Sequence, residues 1–313
     1  MRIFVAGATG ALGMQLVPRL IEGGHQVTGM TRSRSKAETV RDLGATPVVA
    51  DALDPEQIAG AVAGSNPEVI VHELTALSGE LDLRHFDRTF ELTNRLRTEA
   101  TDHLLAAGRG VGVRRFVAQS FTGWPYARVG GPVKSEEDPL DPDPVPDMRR
   151  SFAAIRHLED AVTGADWTEG IVLRYGGFYG PGTSMWNGGE QLEQIRERKW
   201  PVVGSGAGIL SLVRVDDAAE ATVAAIERGK RGIYNIVDDN PEPIRKWLPE
   251  VAEAIGAPPP RRVPRWLARL IGGTAATVMM TEGRGASNAK AKHELGWSPR
   301  HPSWREGLAE VRA

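Results

Sequence analysis

Gly7-Ala8-Thr9-Gly10-Ala11-Leu12-Gly13 is the stretch that decides the fold of this chain. The residues before it, Ile3-Phe4-Val5-Ala6, form an apolar run of the length of a short buried strand. The residues after it, from Met14 to Ile21, set Leu16, Leu20 and Ile21 on one face of a helix. A glycine turn between a strand and a helix is the setting in which such a stretch binds a dinucleotide. Gly7 takes the tight turn out of the strand, Gly10 lets a pyrophosphate approach the backbone, and Gly13 lets the helix pack closely on the sheet. Thr9, Ala11 and Leu12 complete the loop, where the helix N-terminus offers free N–H groups and partial positive charge to phosphates.

Bulk properties narrow the alternatives. A chain of 313 residues buries a large core. Its net charge of −2 and the absence of a basic helix-turn-helix give no reason to expect a nucleic-acid partner. Cysteine is absent, which excludes disulfides, thiolate metal sites and cysteine nucleophiles. The seven histidines are scattered without metal-ligand spacing, and there is neither a Gly-x-Ser-x-Gly elbow nor a His-Glu-x-x-His pair, so no metal is expected. The most apolar late stretch, Trp266 to Met280, spans 15 residues and contains Arg269, too short to cross a bilayer. It reads as an amphipathic or buried helix. The chain opens on a core strand with no secretory leader pattern, so the expectation is a cytoplasmic protein without a membrane partner.

In chain order, further strands are expected at 25–30, 46–50, 69–72, 115–120, 169–175, 210–217 and 232–237, with helices at 91–107, 148–162 and 218–228. The second strand ends at Thr31-Arg32-Ser33-Arg34. A carboxylate there would accept bonds from ribose hydroxyls and repel a 2′-phosphate, whereas arginine holds a phosphate bidentately. NADP(H) is therefore favoured, with NAD(H) as the alternative. The loop from Gly130 to Pro146 carries five prolines, and its acids, Glu136, Glu137, Asp138, Asp141 and Asp143, are expected to be solvated.

The Gly-x-x-Gly-x-x-Gly spacing does not stand alone. Leu173-Arg174-Tyr175-Gly176-Gly177-Phe178-Tyr179-Gly180-Pro181-Gly182, the Arg214…Asp216-Asp217 segment and the tail from Ala289 to Pro299 follow in order. Together they resemble the extended short-chain dehydrogenase/reductase family, which includes sugar-nucleotide epimerases and dehydratases. The resemblance implies an α/β fold of Rossmann type, a doubly wound parallel sheet with a smaller C-terminal substrate lobe. The dinucleotide-binding part would comprise 1–177 plus about 209–237, and the substrate lobe about 178–208 plus 238–313. It also implies that Asp51 and Ala52 meet the adenine, that Leu74, Thr75 and Ala76 pass the ribose and pyrophosphate, and that Ser120, Tyr175 and Gly176 lie near the nicotinamide.

The departures are as informative. The family carries Tyr-x-x-x-Lys on the helix at 148–162, where residues four apart share a face and the ammonium lowers the phenol's pKa. Aligned on Glu159, those positions are Ser151 and Ile155; shifted by one, they are Phe152 and Arg156. Neither register contains a phenol. The usual catalytic hydroxyl position is Phe121, flanked by Ser120 and Thr122, and the asparagine of the preceding helix is replaced by Arg97, with Asn94 one turn earlier. Candidate proton donors are therefore Ser120, Thr122 and Tyr126.

The expected function is an NADP(H)-binding oxidoreductase or epimerase-like enzyme on a small carbonyl, alcohol or sugar-like substrate, with a non-standard proton donor. A non-redox isomerase on the same scaffold and a cofactor-binding sensor are the alternatives, and a homodimer is the expected oligomer.

Overall fold

The structure is a computed structural model that describes residues 1–77 and 82–312. Seven parallel strands form its central sheet: β1 (Arg2–Ala6), β2 (Gln26–Thr31), β3 (Thr46–Val49), β4 (Val69–His72), β5 (Arg115–Phe121), β6 (Glu169–Tyr175) and β7 (Gly232–Ile236). Their spatial order is β3-β2-β1-β4-β5-β6-β7. The winding reverses between β1 and β4, so a crevice opens beyond the carboxyl ends of the strands at that point. Register is set by pairs such as Ala6 with His72, Ser120 with Arg174 and Arg174 with Asn235.

Helices cover both faces of the sheet, as a parallel sheet requires. α1 (Ala11–Glu22), α2 (Ala37–Asp42) and α3 (Pro55–Ser65) follow the first three strands. Asp54 caps α3 by accepting the N–H groups of Glu56 and Gln57. A long rod, α4, starts as Glu91–Arg95, widens into a π turn over Leu96–Ala100 and continues as Thr101–Val111. α5 (Arg149–Gly164) leads to β6, and α6 (Val215–Arg228) leads to β7.

The period of two along each strand divides the core. Val71, Val117 and Leu173 point to α1 and α6, whereas Ile70, Phe116 and Val172 point to α3, α4 and α5. Each fully buried side chain of this size stabilises the fold by about 1.5–3 kcal/mol. A separate cluster joins Tyr179, Leu192 and Val202 to Trp247, Leu248 and Val251 of α7 (Ile244–Ala254) and to Trp304 and Leu308.

Two local expectations are corrected and a third is refined. The 210–217 stretch is not one strand: Leu210 ends the short strand Ile209–Leu210, Leu212–Arg214 pairs with Gly177–Tyr179, and α6 begins at Val215 and takes in Asp216 and Asp217. The acids of 130–146 are not all solvated. Asp141 is buried against Arg128, and a Glu136 oxygen accepts the Asn235 N–H at the edge of β7. Within that loop Val133–Lys134 pairs in parallel with Gly285–Ala286. The late apolar stretch is the helix α8 (Arg265–Glu282), broken at Gly273 (φ 84°), with Trp266, Leu270 and Ile271 exposed on its first half.

Candidate functional site

The glycine loop leaves β1 at Gly7, whose φ of 102° lies in the left-handed region. A Cβ at Gly7 would stand 2.8 Å from the Glu73 carbonyl oxygen, and one at Gly13 would stand 2.3 Å from the Gly7 carbonyl oxygen. Gly10 bonds back to Gly7 O at 3.0 Å and caps α1 with no side chain of its own over the helix end. The first N–H groups of α1 are left to an anion. This cradle fits the pyrophosphate of a dinucleotide on its own geometry. Thr9 and Ala11 are partly exposed at its rim and Leu12 anchors it in the core.

At the end of β2, Thr31 is buried and its Oγ1 accepts the Ser33 N–H at 3.3 Å. Arg32 and Arg34 are exposed, and among the described residues neither forms an ion pair. After β3, Asp51 Oδ1 accepts the Leu53 N–H and Ala52 is buried. After β4, the Leu74 N–H bonds His72 Nδ1 and the Ala76 N–H bonds Thr93 Oγ1, so the strip Leu74-Thr75-Ala76 is tied at both ends. Thr31 ends β2, and Asp51, Leu74 and Gly176 follow the carboxyl ends of β3, β4 and β6, so all four share one edge of the sheet.

Glu73, at that same edge, is buried beneath the glycine loop. Its Oε1 accepts the Tyr175 hydroxyl at 3.4 Å and its Oε2 has no partner. Burial holds its carboxyl well above the usual range, against the opposing bond from Tyr175. Tyr175 itself is fully buried, on the α6 face, where its hydroxyl meets Thr222 Oγ1 at 2.7 Å. Gly176 passes so close to Ser211 that a Cβ would stand 2.7 Å from its carbonyl oxygen.

The three candidate proton donors share a single buried network on the opposite face. Ser120, the penultimate residue of β5, donates to Glu159 Oε1 at 2.7 Å. Arg174 grips the same carboxylate through Nε and Nη2, at 2.7 and 2.6 Å, and donates Nη1 to the Tyr126 hydroxyl at 3.0 Å. Tyr126 and Thr122 both donate to Asn235 Oδ1, at 2.8 and 3.0 Å. Ser120, Thr122 and Tyr126 are 1%, 2% and 0% exposed, so none presents its hydroxyl to solvent. Burial raises the Tyr126 pKa, with the Arg174 charge opposing.

Where the resemblance implies tyrosine and lysine, the helix carries other chemistry. Ser151 is fully buried. It donates to Asp87 Oδ1 at 2.8 Å and accepts from Asn94 Nδ2 at 3.0 Å, while Ile155 is fully buried. Phe152 and Phe121 stand 5.3 and 5.6 Å, ring to ring, from Trp124, which also meets Phe86 at 5.3 Å. This aromatic cluster was not anticipated from the sequence, because Phe86, Trp124 and Phe152 are far apart in the chain. A small cleft beside it is lined by Trp124, Arg128, Val145, Met148, Phe152 and Met279.

His72 is a packing residue. Its Nε2 lies 3.1 Å from both Leu96 O and Thr101 Oγ1, and burial lowers its pKa to about 4. Asp216, Asp217 and His301 bring three ligand-type atoms together, but Asp217 is already engaged by the backbone of Arg300 and His301, which closes the C-terminal segment onto α6. Among the described residues no helix is long and apolar enough to cross a membrane.

Residues 3–237 match the model of the NAD dependent epimerase/dehydratase family. The chain is 44% identical, over 98% of its length and 99% of the relative's, to the 3-diazoavenalumate denitrifying reductase of a Streptomyces species. It is 28% identical, over 82% of its length and 74% of the relative's, to the 4-hydroxy-2-methyl-3-oxo-4-farnesyl-3,4-dihydroquinoline-1-oxide ketoreductase of Stigmatella aurantiaca. Its fold superposes on the dTDP-glucose 4,6-dehydratase DesIV of Streptomyces venezuelae, solved with NAD bound, with a TM-score of 0.77 at 20% identity, covering 100% of this chain and 96% of the other.

Proposed function

The chain belongs to the NAD dependent epimerase/dehydratase family, and from that premise we propose that it is an NADP(H)-dependent reductase whose hydride acceptor is an arene-bound diazo group. The observation that carries this reading is the lack of a phenol at the family's tyrosine position in either register, Ser151 or Phe152, together with Phe121 at the usual hydroxyl position.

Carbonyl reduction consumes a hydride and a proton, and a positioned acid must meet the developing alkoxide. Replacing an aryl diazonium by hydrogen consumes a hydride alone: Ar–N₂⁺ and H⁻ give Ar–H and N₂, with charge balanced and no proton taken up. A site for that reaction needs no phenol–ammonium pair. The hydride would come from NADPH when it is bound. Gly7, Gly10, Gly13 and the start of α1 would hold its pyrophosphate, Thr31, Arg32 and Ser33 its adenosine 2′-phosphate, and Asp51 and Ala52 its adenine. Leu74, Thr75 and Ala76 would border the nicotinamide half, with Ser120, Tyr175 and Gly176 packed in the layer beneath.

Phe121, Trp124 and Phe152 offer a flat arene aromatic faces for stacking. They also keep water from the diazonium carbon, which water would convert to a phenol. On this reading Ser120, Thr122 and Tyr126 clamp the ends of β5, β6 and β7 and transfer no proton. The name of the Streptomyces relative, a reductase of a diazo compound, supports the assignment.

The test supplies NADPH and an aryl diazonium salt, with a reaction lacking protein as the background. One N₂ released per NADPH oxidised, and deuterium passing from [4-²H]NADPH to the ring carbon, are expected. A rate on simple ketones ten times the diazonium rate overturns the reading. It would favour carbonyl reduction with Tyr126 as donor, for which the phenol's 3.0 Å bond from Arg174 is the supporting observation.

A further inference from the structure

Arg97 is 4% exposed, and neither its Nε nor its Nη1 has a hydrogen-bond partner among the described residues. Guanidinium groups are seldom buried without an acid or a carbonyl to receive them. The carboxylate within electrostatic reach, Glu159, is already held by two bonds from Arg174 and one from Ser120. The nearby His72, with its pKa lowered to about 4, is neutral at pH 7. Burial lowers Arg97 only to about 10, so it remains a cation. Arg97, Arg174 and Glu159 together therefore carry one positive charge that no side chain among them neutralises.

Position along the helices gives this cation a direction. α4 and α5 run between parallel strands, so their N-termini lie at the crevice end of the sheet. Phe90, Asn94 and Arg97 follow one another at helical spacing, as do Phe152, Ile155 and Glu159 on α5. The aromatic residues stand at the crevice end, where the Asn94–Ser151 bond ties the two helices together, and the charges lie further along both helices. A helical side chain leans toward its own N-terminus, which for Arg97 is the crevice. The π turn Leu96–Ala100 that carries Arg97 is a feature often found at functional sites.

We infer that Arg97 is an anion-binding residue that receives the carboxylate of an aromatic substrate acid, so that the substrates of this site are aromatic anions. The inference depends on the reductase reading only for the place of the substrate, and its test involves no turnover.

Benzoate and its neutral analogue benzamide are titrated into the full-length protein saturated with NADP⁺, for the wild type, Arg97→Lys and Arg97→Met. Benzoate is expected to bind the wild type at least tenfold more tightly than benzamide. In Arg97→Met that preference disappears while NADP⁺ affinity stays within twofold, and Arg97→Lys retains part of it. The melting temperature of ligand-free Arg97→Met is expected to equal or exceed that of the wild type, since an unpaired buried charge has been removed. Equal binding of benzoate and benzamide to the wild type overturns the inference. So does a tenfold loss of NADP⁺ affinity in Arg97→Met with benzoate preference retained, which would assign the guanidinium to the cofactor. A lower melting temperature in ligand-free Arg97→Met overturns it too, because the group would then have a partner within the fold. Failure of diazonium reduction with benzoate preference intact would remove the reductase reading and leave the anion site standing.

Discussion

A methyl group at Gly13 would sit 2.3 Å from the carbonyl oxygen of Gly7, inside any permitted contact. α1 can lie that close to the turn only because position 13 has no side chain. Gly13→Ala is expected to push α1 away from the loop, lower stability by about 1–3 kcal/mol and weaken NADPH at least about tenfold. Thermal melts and a fluorescence titration check both. Unchanged cofactor affinity would separate the loop from the phosphate site.

On the proposed reading, cofactor choice rests on Arg32. Arg32→Glu is expected to weaken NADPH by about tenfold or more, equivalent to about 1.4 kcal/mol, and to leave NADH within about threefold. A charge-assisted phosphate contact is lost and a repulsion added, both specific to the 2′-phosphate. Equal affinity for the two cofactors in the wild type would remove the assignment before any mutation is made.

Tyr126→Phe separates clamp from proton donor. Loss of the hydroxyl removes a partner from Arg174 and from Asn235, so stability is expected to fall by about 1–3 kcal/mol, with diazonium turnover within about threefold of wild type. A tenfold fall in turnover with an unchanged melting temperature would mark the phenol as a participant in the chemistry.

Glu73 links the glycine loop to pH. Its folded-state pKa lies well above the usual 4.5, so the folded chain holds this proton over a range where the unfolded chain has lost it. The contribution is fully present below about pH 4.5 and is lost as pH rises through the folded pKa. Glu73→Gln keeps the shape and removes the titration. The variant is expected to match the wild type near pH 4 and to equal or exceed it in stability at pH 8. Melting curves across that range test this, and parallel slopes for the two proteins would contradict it.

Much of the fold was legible in the sequence because its signals are local. Ile3–Ala6 reads as a buried strand from its own composition, and the three glycines read as a turn from their spacing. The absence of a phenol at 151 or 152 was equally plain. What escaped the reading depends on distant residues. Asp141 looks like one acid in a proline-rich loop until Arg128 closes on it, and Glu136 looks solvated until the edge of β7 reaches it. Arg97 was identified by its helix position, but its lack of a partner is a property of the packed interface. The network of Ser120, Glu159, Arg174, Tyr126 and Asn235 joins residues up to 115 positions apart, and no short-range pattern encodes it.

The strand order also prescribes an order of assembly. By His72 a nascent chain holds β1, β2, β3 and β4, and these four are contiguous in the finished sheet with β4 at the growing edge. Each later strand then docks against the one made just before it, β5 on β4, β6 on β5 and β7 on β6. Each addition waits for a crossover helix to leave the ribosome and exposes a fresh unpaired edge in the meantime. Release of the chain at Gly164 would leave Ser120 and Glu159 in place without Arg174, and Thr122 without Asn235. The buried network thus becomes complete only when β7 docks, and until then β5 or β6 is the edge most open to mispairing and to chaperones.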